Sequence, residues 1–276
     1  MNFHPKFLDT YRFDLLSKHQ FKIMGIIFKF VIHENKRNPF PISKVKTYLK
    51  TALRLMNIPL NKKRSRVNLI VFDTQIRKVL PETGKSIEAV HVNSGYCYPM
   101  SQENEANIVI YRRQEFCKVL VHELIHLFNI VPHSESLQTY YGHKFSSVKT
   151  TLNVNEAFVE FEALLIHCKV LAHKNDKDLQ TILEEEYSFS AKEVKKILKQ
   201  QSTDIHRILD DSFEWKENTN AFAYFVLKHI LLHTYLNKSV ETFVNDLEER
   251  VNKARNSVSK KKPYIGLTRN SMHIDI

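Results

Sequence analysis

Glycine is scarce in this chain, with 5 residues among 276. Loops that cradle phosphate groups need closely spaced glycines, and neither GxGxxG nor GxxxxGK[ST] occurs in the sequence. Cysteine is also rare: Cys97, Cys117 and Cys168 are widely spaced, odd in number and form no CxxC pair. The sequence therefore argues against a glycine-rich phosphate loop and against a disulfide framework, and it favours a reducing compartment.

Long apolar runs are missing as well. A membrane-spanning helix needs about 20 predominantly apolar residues. The two most apolar segments, residues 21–32 and 221–236, are interrupted by lysine or histidine and are predicted to be buried helices. The first residues include acids and proline before any apolar region, which is unlike a signal peptide. We therefore expect a cytoplasmic protein, with the nucleus as an alternative location, that is neither secreted nor bound to a membrane.

Positive charge is abundant, since 41 lysines and arginines against 30 acids give a formal net charge of +11. Basic clusters lie at residues 61–66 and 259–263. Because no nucleic-acid-binding motif accompanies them, the sequence does not favour a nucleic-acid partner. The charge is typical of a solvated surface, and it would also suit an acidic peptide or protein as substrate.

The pattern along the chain predicts an α+β fold. Helical periodicity predicts helices over residues 20–34 and 43–56, the latter with Ser43 as its N-cap. Short runs rich in β-branched residues predict strands over 67–72, 87–92 and 107–111. Helices are predicted to dominate afterwards, over 114–129, 154–173, 177–187, 190–201, 203–215, 219–236 and 239–256. The predicted organisation is an N-terminal helical region (1–65), a catalytic core (66–173), a C-terminal helical subdomain (174–257) and a basic tail (258–276).

The sequence HELIH, at residues 122–126, fits the pattern HExxH. Residues four apart share one face of a helix, so the imidazoles of His122 and His126 can reach one ion. Glu123 lies about 100° further around the helix, where it can act on a water molecule without being a ligand. The flanking residues are apolar on nearly every side, which predicts a buried helix whose ionisable groups need partners. Core histidines bonded to carbonyl groups are the alternative.

A zinc site with three protein ligands leaves one position for water. The best third ligand is Glu156, in the sequence NEAFVE at residues 155–160, and Glu160 lies one turn further along the same apolar helix. Glu160 can accept a hydrogen bond from the outer nitrogen of a ligand histidine. A solvated acidic face is the alternative for this pair. His133 is an alternative third ligand, one residue late for the metzincin spacing.

HExxH followed by NExxxE resembles the gluzincin group of zinc metallopeptidases, which is thermolysin-like in the broad sense. The resemblance covers about residues 114–173 and implies a zincin-like fold, with a small mixed sheet packed on a buried active-site helix and a mainly helical C-terminal half. It also implies one Zn²⁺ per chain, held by His122, His126 and Glu156, with Glu123 as general base. The spacing of 29 residues between His126 and Glu156 exceeds the roughly twenty common in that group.

Catalytic and substrate-binding roles are also predicted for residues further from the motif. Resembling enzymes use a tyrosine and a histidine to stabilise the oxyanion, which indicates Tyr141 and His229, with His206 as a weaker candidate; core packing is the alternative for His229 and His233. Tyr140, Asn93 and Gly95 are the predicted substrate contacts. A peptide would pair with a strand edge near residues 92–98 or 107–111.

The predicted function is hydrolysis of peptide bonds by a zinc-dependent metallopeptidase. The alternative is a catalytically inactive protein of zincin fold that serves in binding, associated with nucleic acid through its basic surface. The intact Glu123 favours the enzyme, because a degenerate site could lose its base and keep its ligands.

Overall fold

Seven stretches of the chain are described by the computed structural model: residues 8–9, 11–58, 66–99, 105–148, 152–209, 213–236 and 267–268. They fall into two compact units. The first is drawn from Met1–Ile76 and Asn93–Ile130, and the second from Arg77–Val92 and Val131–Met272. The domain boundaries predicted from the sequence remain a prediction.

The first unit contains a five-stranded mixed sheet. Its strands are β1 (Leu15–Ile23), β2 (Ile26–Glu34), β3 (Arg66–Phe72), β5 (Gly95–Pro99) and β6 (Glu105–Ile110). Their order in the sheet is β1-β2-β3-β6-β5. β1 and β2 are antiparallel, β2, β3 and β6 are parallel to one another, and β5 is antiparallel to β6. The predictions of a small mixed sheet and of strands near 67–72 and 107–111 are confirmed.

The helix predicted over residues 20–34 is wrong, because this segment is the hairpin of β1 and β2. Met24 and Gly25 have φ values of 49° and 86°. Two successive left-handed residues are what a tight hairpin turn requires and what a helix forbids. Along β2, buried and partly exposed residues alternate without exception, which is the period of a strand.

Two helices of the first unit pack together on one side of the sheet. α3 (Phe116–Phe128) contacts β5 and β6, and α1 (Ile42–Met56) packs against α3. α1 also holds the ammonium group of Lys46 5.3 Å from the ring centre of Phe21. The N-cap of α1 is Pro41, which makes no side-chain cap, so the assignment of Ser43 as the cap is wrong.

Helices make up most of the second unit. Its elements are β4 (Lys78–Val79), α2 (Ala89–Val92), α4 (Glu135–Lys144), α5 (Val154–Asn175), α6 (Leu179–Gln200), α7 (Ile205–Leu209), a π-helical segment (Phe222–Leu227), α8 (Lys228–Tyr235) and β7 (Leu267–Thr268). The predicted helices over 154–173 and 219–236 are confirmed. The strand predicted over 87–92 is wrong: the imidazole of His91 accepts a hydrogen bond from the backbone of Glu88, closing a short helical turn.

Other boundaries differ from the expectation. α4 lies between the predicted helices 114–129 and 154–173, where no element was predicted. α6 runs through the predicted break near residue 189, and α7 is shorter than predicted. The predicted helix over 239–256 and the cluster at 259–263 lie outside the described residues, as does the cluster at 61–66 except for its last residue. Where the structure describes the chain, no helix is long and apolar enough to cross a membrane.

Candidate metal centre

The helix α3 carries the HExxH sequence in the interior of the first unit. All but two of its thirteen residues are buried, including His122 and Glu123. The helix ends at Asn129, whose left-handed conformation lets its backbone N–H bond to the carbonyls of His126 and Ile125. Packing on the sheet and a firm C-terminal cap therefore fix the helix that carries both histidines.

The two histidines of this helix face each other. Their Nε2 atoms are 3.2 Å apart, and the ring planes are inclined at 67°. In a tetrahedral zinc site with Zn–N distances of 2.0–2.1 Å, two ligand nitrogens lie about 3.3 Å apart. The observed separation therefore matches two ligands directed at one tetrahedral ion.

Glu156 completes a group of three potential ligands. One ligand atom each from His122, His126 and Glu156 lies within 4.8 Å of the other two. Two imidazole nitrogens with one carboxylate oxygen are a donor set that zinc accepts and that leaves a coordination position open. Within the part of the chain that the structure describes, no other histidine, cysteine, aspartate or glutamate belongs to such a group. The exposed His133, the alternative third ligand, is not a member.

Glu156 lies in the first turn of α5. Its backbone N–H donates to the side chain of Asn153, the N-cap, at 3.2 Å. A carboxylate at a helix N-terminus is stabilised by the helix dipole and by the unpaired N–H groups of the first turn. Glu160, one turn later, is buried with 1% of its surface exposed. The first turn of α5 thus holds one carboxylate where it is favoured as an anion, and a second follows on a buried face.

Glu123 is 5% exposed and follows the first histidine of the motif. Burial raises the pKa of the fully buried Tyr111 hydroxyl well above its usual range, and the charge of Glu123 adds to this increase. Tyr111, which immediately follows β6, therefore stays protonated at neutral pH because of its raised pKa. Sequence reasoning missed Tyr111, because nothing in its local sequence distinguishes it from a core aromatic residue.

A polar cluster supports the loop before β5. The guanidinium of the buried Arg112 donates to the carbonyls of Asn93 (3.1 Å) and Ile76 (3.2 Å). The hydroxyl of Ser94 donates to Glu115, the N-cap residue of α3, at 3.1 Å. The backbone carbonyl of Asn93 thus helps to hold this loop in place by accepting a hydrogen bond from Arg112. The role of Asn93 as a substrate contact remains a prediction.

Gly95 is explained by packing. A Cβ atom there would lie 2.8 Å from the carbonyl oxygen of Val109 and 2.9 Å from a methyl group of Val119 on α3. The edge strand β5 can approach both β6 and the HExxH helix because this position has no side chain. A substrate contact at Gly95 stays a prediction.

The two tyrosines predicted near the substrate lie on α4 and differ in exposure. Tyr140 is 57% exposed, whereas Tyr141 is partly buried between Phe145 and Phe158, with ring-centre distances of 6.3 and 6.5 Å. Burial raises the pKa of Tyr141, and the neighbouring Tyr140 adds to the shift. Tyr141 therefore keeps its proton at neutral pH, as an oxyanion donor must, but its catalytic role remains a prediction.

His229, the predicted histidine of the oxyanion site, has no exposed surface. Its ring stacks on that of Tyr187, with centres 4.7 Å apart and planes inclined at 15°. His233, one turn later, shares a 2.8 Å hydrogen bond with the hydroxyl of the same tyrosine. This arrangement favours core packing as the role of His229. His206 is exposed on the short helix α7.

Comparisons with known proteins give little family information. No protein-family model matches the chain, and no curated protein matches it. Among solved structures, the chain is similar to an aminopeptidase N family protein from Idiomarina loihiensis, with a TM-score of 0.39 and 12% sequence identity. The match covers 86% of this chain and 41% of that chain, so this chain spans about two fifths of that protein's length. A likeness of this size does not define a family or an activity.

Proposed function

We propose that the protein is a zinc-dependent peptidase with a zincin-like fold. The observation that carries the proposal is the convergence of one ligand atom each from His122, His126 and Glu156 within 4.8 Å, on the HExxH pattern. Nitrogen donors favour zinc over magnesium or calcium, which prefer oxygen ligands. A zinc ion bound there would supply a Lewis acid that makes water more acidic and polarises a peptide carbonyl.

Glu123 is the proposed general base. It adjoins the first ligand on a rigid helix but points about 100° away from it, which suits a group that acts beside the ion. It would take a proton from the attacking water and pass it to the leaving amine. Tyr111, whose pKa is raised mainly by burial and also by the charge of Glu123, already carries its own proton at neutral pH and so cannot take that proton.

The proposed substrate is a peptide or protein segment that adds to the edge of the sheet. Of the two edges suggested by the sequence, β6 is internal, because it pairs with β3 on one side and β5 on the other. β5 is at the end of the strand order and contacts α3. An extended peptide could therefore pair with the backbone of β5 next to the HExxH helix. The net charge of +11 favours acidic peptides.

The test is a comparison of wild type with Glu123→Gln. Both proteins are stripped with a chelator, reloaded with zinc and assayed for metal by elemental analysis and for hydrolysis with a peptide library read by mass spectrometry. We expect about one zinc per chain in both, and a loss of hydrolysis of about 10²–10⁴-fold in the variant, because only the base is removed.

Glu135→Gln is the matched control, since Glu135 carries the same carboxylate but lies exposed at the start of α4. It should hydrolyse peptides at the wild-type rate. Wild type that binds no zinc would refute the proposal. Zinc bound with no cleavage of any library peptide would favour the binding protein of zincin fold.

A further inference from the structure

The side of the sheet opposite α1 and α3 carries a row of exposed and partly exposed side chains. The strand register aligns Gln20, Lys29, Asn68, Asn107 and Tyr98 in one row across all five strands. Residues in register point to the same side of a sheet. These five side chains are all exposed or partly exposed. We call the side of the sheet on which they lie the outer face.

The outer face is positively charged. Lys18 and Lys22 are exposed on β1, and Lys29 is partly exposed on β2. Arg66 on β3 forms an ion pair with Glu105 on β6. Among the strand residues that point to this side, four cations thus face one carboxylate, an excess of three positive charges. The face therefore attracts anions, and its exposed lysines lie on the edge strand β1.

Aromatic rings lie on the same face. Tyr96 and Tyr98, two apart on β5, are partly exposed and stack with centres 6.1 Å apart. Phe72 on β3 and His33 on β2 stack at 4.7 Å with planes inclined at only 14°. In the row that contains Tyr98, the amide of Asn68 donates to that of Asn107 at 3.2 Å. Flat rings, amides and cations are thus combined on one surface.

We propose that the outer face binds single-stranded nucleic acid. Strands lie about 4.8 Å apart, so the row from Gln20 to Tyr98 spans about 19 Å, enough for a short stretch of unpaired nucleotides. The lysines would contact phosphates, and the tyrosines would stack on bases. A duplex keeps its bases stacked inside and offers the rings little contact. Charge alone did not favour such a partner from the sequence; its combination with rings across separate strands does.

The electrostatic part is tested with a fluorescein-labelled 12-nucleotide oligo(dT) and the full-length chain, by fluorescence anisotropy at 50–200 mM salt. Lys18→Glu with Lys22→Glu should weaken binding about tenfold or more at low salt. It should also reduce the salt slope by about 1.4, since each phosphate contact on a single strand contributes about 0.7. Lys44→Glu with Lys50→Glu is the matched control. It makes the same charge change on exposed positions of α1, on the other side of the sheet, and should bind nearly as well as wild type.

The stacking part is tested with Tyr98→Ala, and Tyr98→Phe as its control. The alanine variant should bind the oligonucleotide about tenfold more weakly, and the phenylalanine variant should keep its affinity, because the ring makes the contact. Neither change should alter binding of inorganic polyphosphate, which has no bases. All four variants should retain the zinc content of wild type, so the outcome is separate from the peptidase proposal.

Three results would overturn the inference. One is the absence of oligonucleotide binding by wild type at 50 mM salt. Another is an equal loss in both lysine variants, which would mean that only the overall charge matters. The third is self-association in sedimentation experiments that Tyr98→Ala abolishes while oligonucleotide binding stays unchanged, which would assign the face to a protein contact.

Discussion

Two pairs of histidines occur at the same spacing in this protein, and they are put to different uses. His122 and His126 on α3, like His229 and His233 on α8, are four residues apart on helices that are mostly buried. The α3 pair converges, with its Nε2 atoms 3.2 Å apart. The α8 pair instead contacts a single phenol, Tyr187, by stacking in one case and by a hydrogen bond in the other.

The difference shows that a spacing of four residues on a helix does not by itself create a metal site. Spacing of four residues places both imidazoles on one face. What lies opposite that face decides their use: a carboxylate, Glu156, accompanies the α3 pair within 4.8 Å. On α8 one tyrosine, Tyr187, stacks on the ring of His229 and shares a hydrogen bond with His233, and among the described residues this pair belongs to no group of potential metal ligands. The following experiments separate the two pairs.

The largest expected effect is on zinc binding. His126→Ala removes a proposed ligand and should lower zinc affinity by at least about 100-fold, since even residues that only orient a ligand contribute 10–100-fold. His233→Ala, the matched change on α8, should keep one zinc per folded chain. Competition with a fluorescent chelator measures the affinity, and circular dichroism checks folding. Wild-type zinc affinity in His126→Ala would contradict the assignment.

A smaller effect is expected where the HExxH helix meets the sheet. Gly95→Ala would place a methyl group 2.8 Å from a backbone carbonyl and 2.9 Å from Val119, and overpacking of this kind costs about 1–3 kcal/mol. Gly142→Ala is the control, because nothing lies within 4 Å of its added Cβ on α4. It should stabilise the protein by up to about 1 kcal/mol. Urea unfolding measures both, and equal stability of the two variants would remove the packing explanation for Gly95.

The smallest effect concerns the α8 pair. Tyr187→Phe keeps the ring against His229 but removes the hydroxyl bonded to His233, which should lower the free energy of unfolding by about 1 kcal/mol. Tyr140→Phe, at an exposed position, should change it by less than about 0.5 kcal/mol. Zinc content should be unaffected in both. Loss of zinc from folded Tyr187→Phe would mean that the two histidine pairs are not independent.

Local sequence predicted helices and strands well where the segment is long and its apolar pattern fits only the helical period or only the strand period. α3 and α5 exceed the usual length of a strand and are apolar around much of their circumference, so no other regular structure suits them. The hairpin of β1 and β2 was not predicted, because a continuous apolar run is compatible with both a buried helix and a strand. Its decisive feature is the pairing of β2 with β3, about 40 residues further along the chain, and such pairing is not visible locally.

The prediction of a strand at 87–92 was wrong because this segment has a suitable local sequence but no partner strand among the described residues. A short β-branched run becomes a strand only if it finds a partner strand, and here only Ile87 forms an isolated bridge, with Glu217. The edge strand β5 is absent from the strands predicted over 67–72, 87–92 and 107–111. β5 begins at Gly95, and the need for a glycine there depends partly on Val119, more than twenty residues away.

By itself, the sequence determined the two histidines of HELIH as neighbours on one helical face, with Glu123 beside them, because the 3.6-residue period fixes these relations within a single turn. It also placed Glu156 and Glu160 one turn apart on a second helix. Only the tertiary structure decided which histidine pair converges with a carboxylate and which packs on a tyrosine, and which strand forms the sheet edge beside α3. Those outcomes depend on contacts between residues distant in the chain, which no local period encodes.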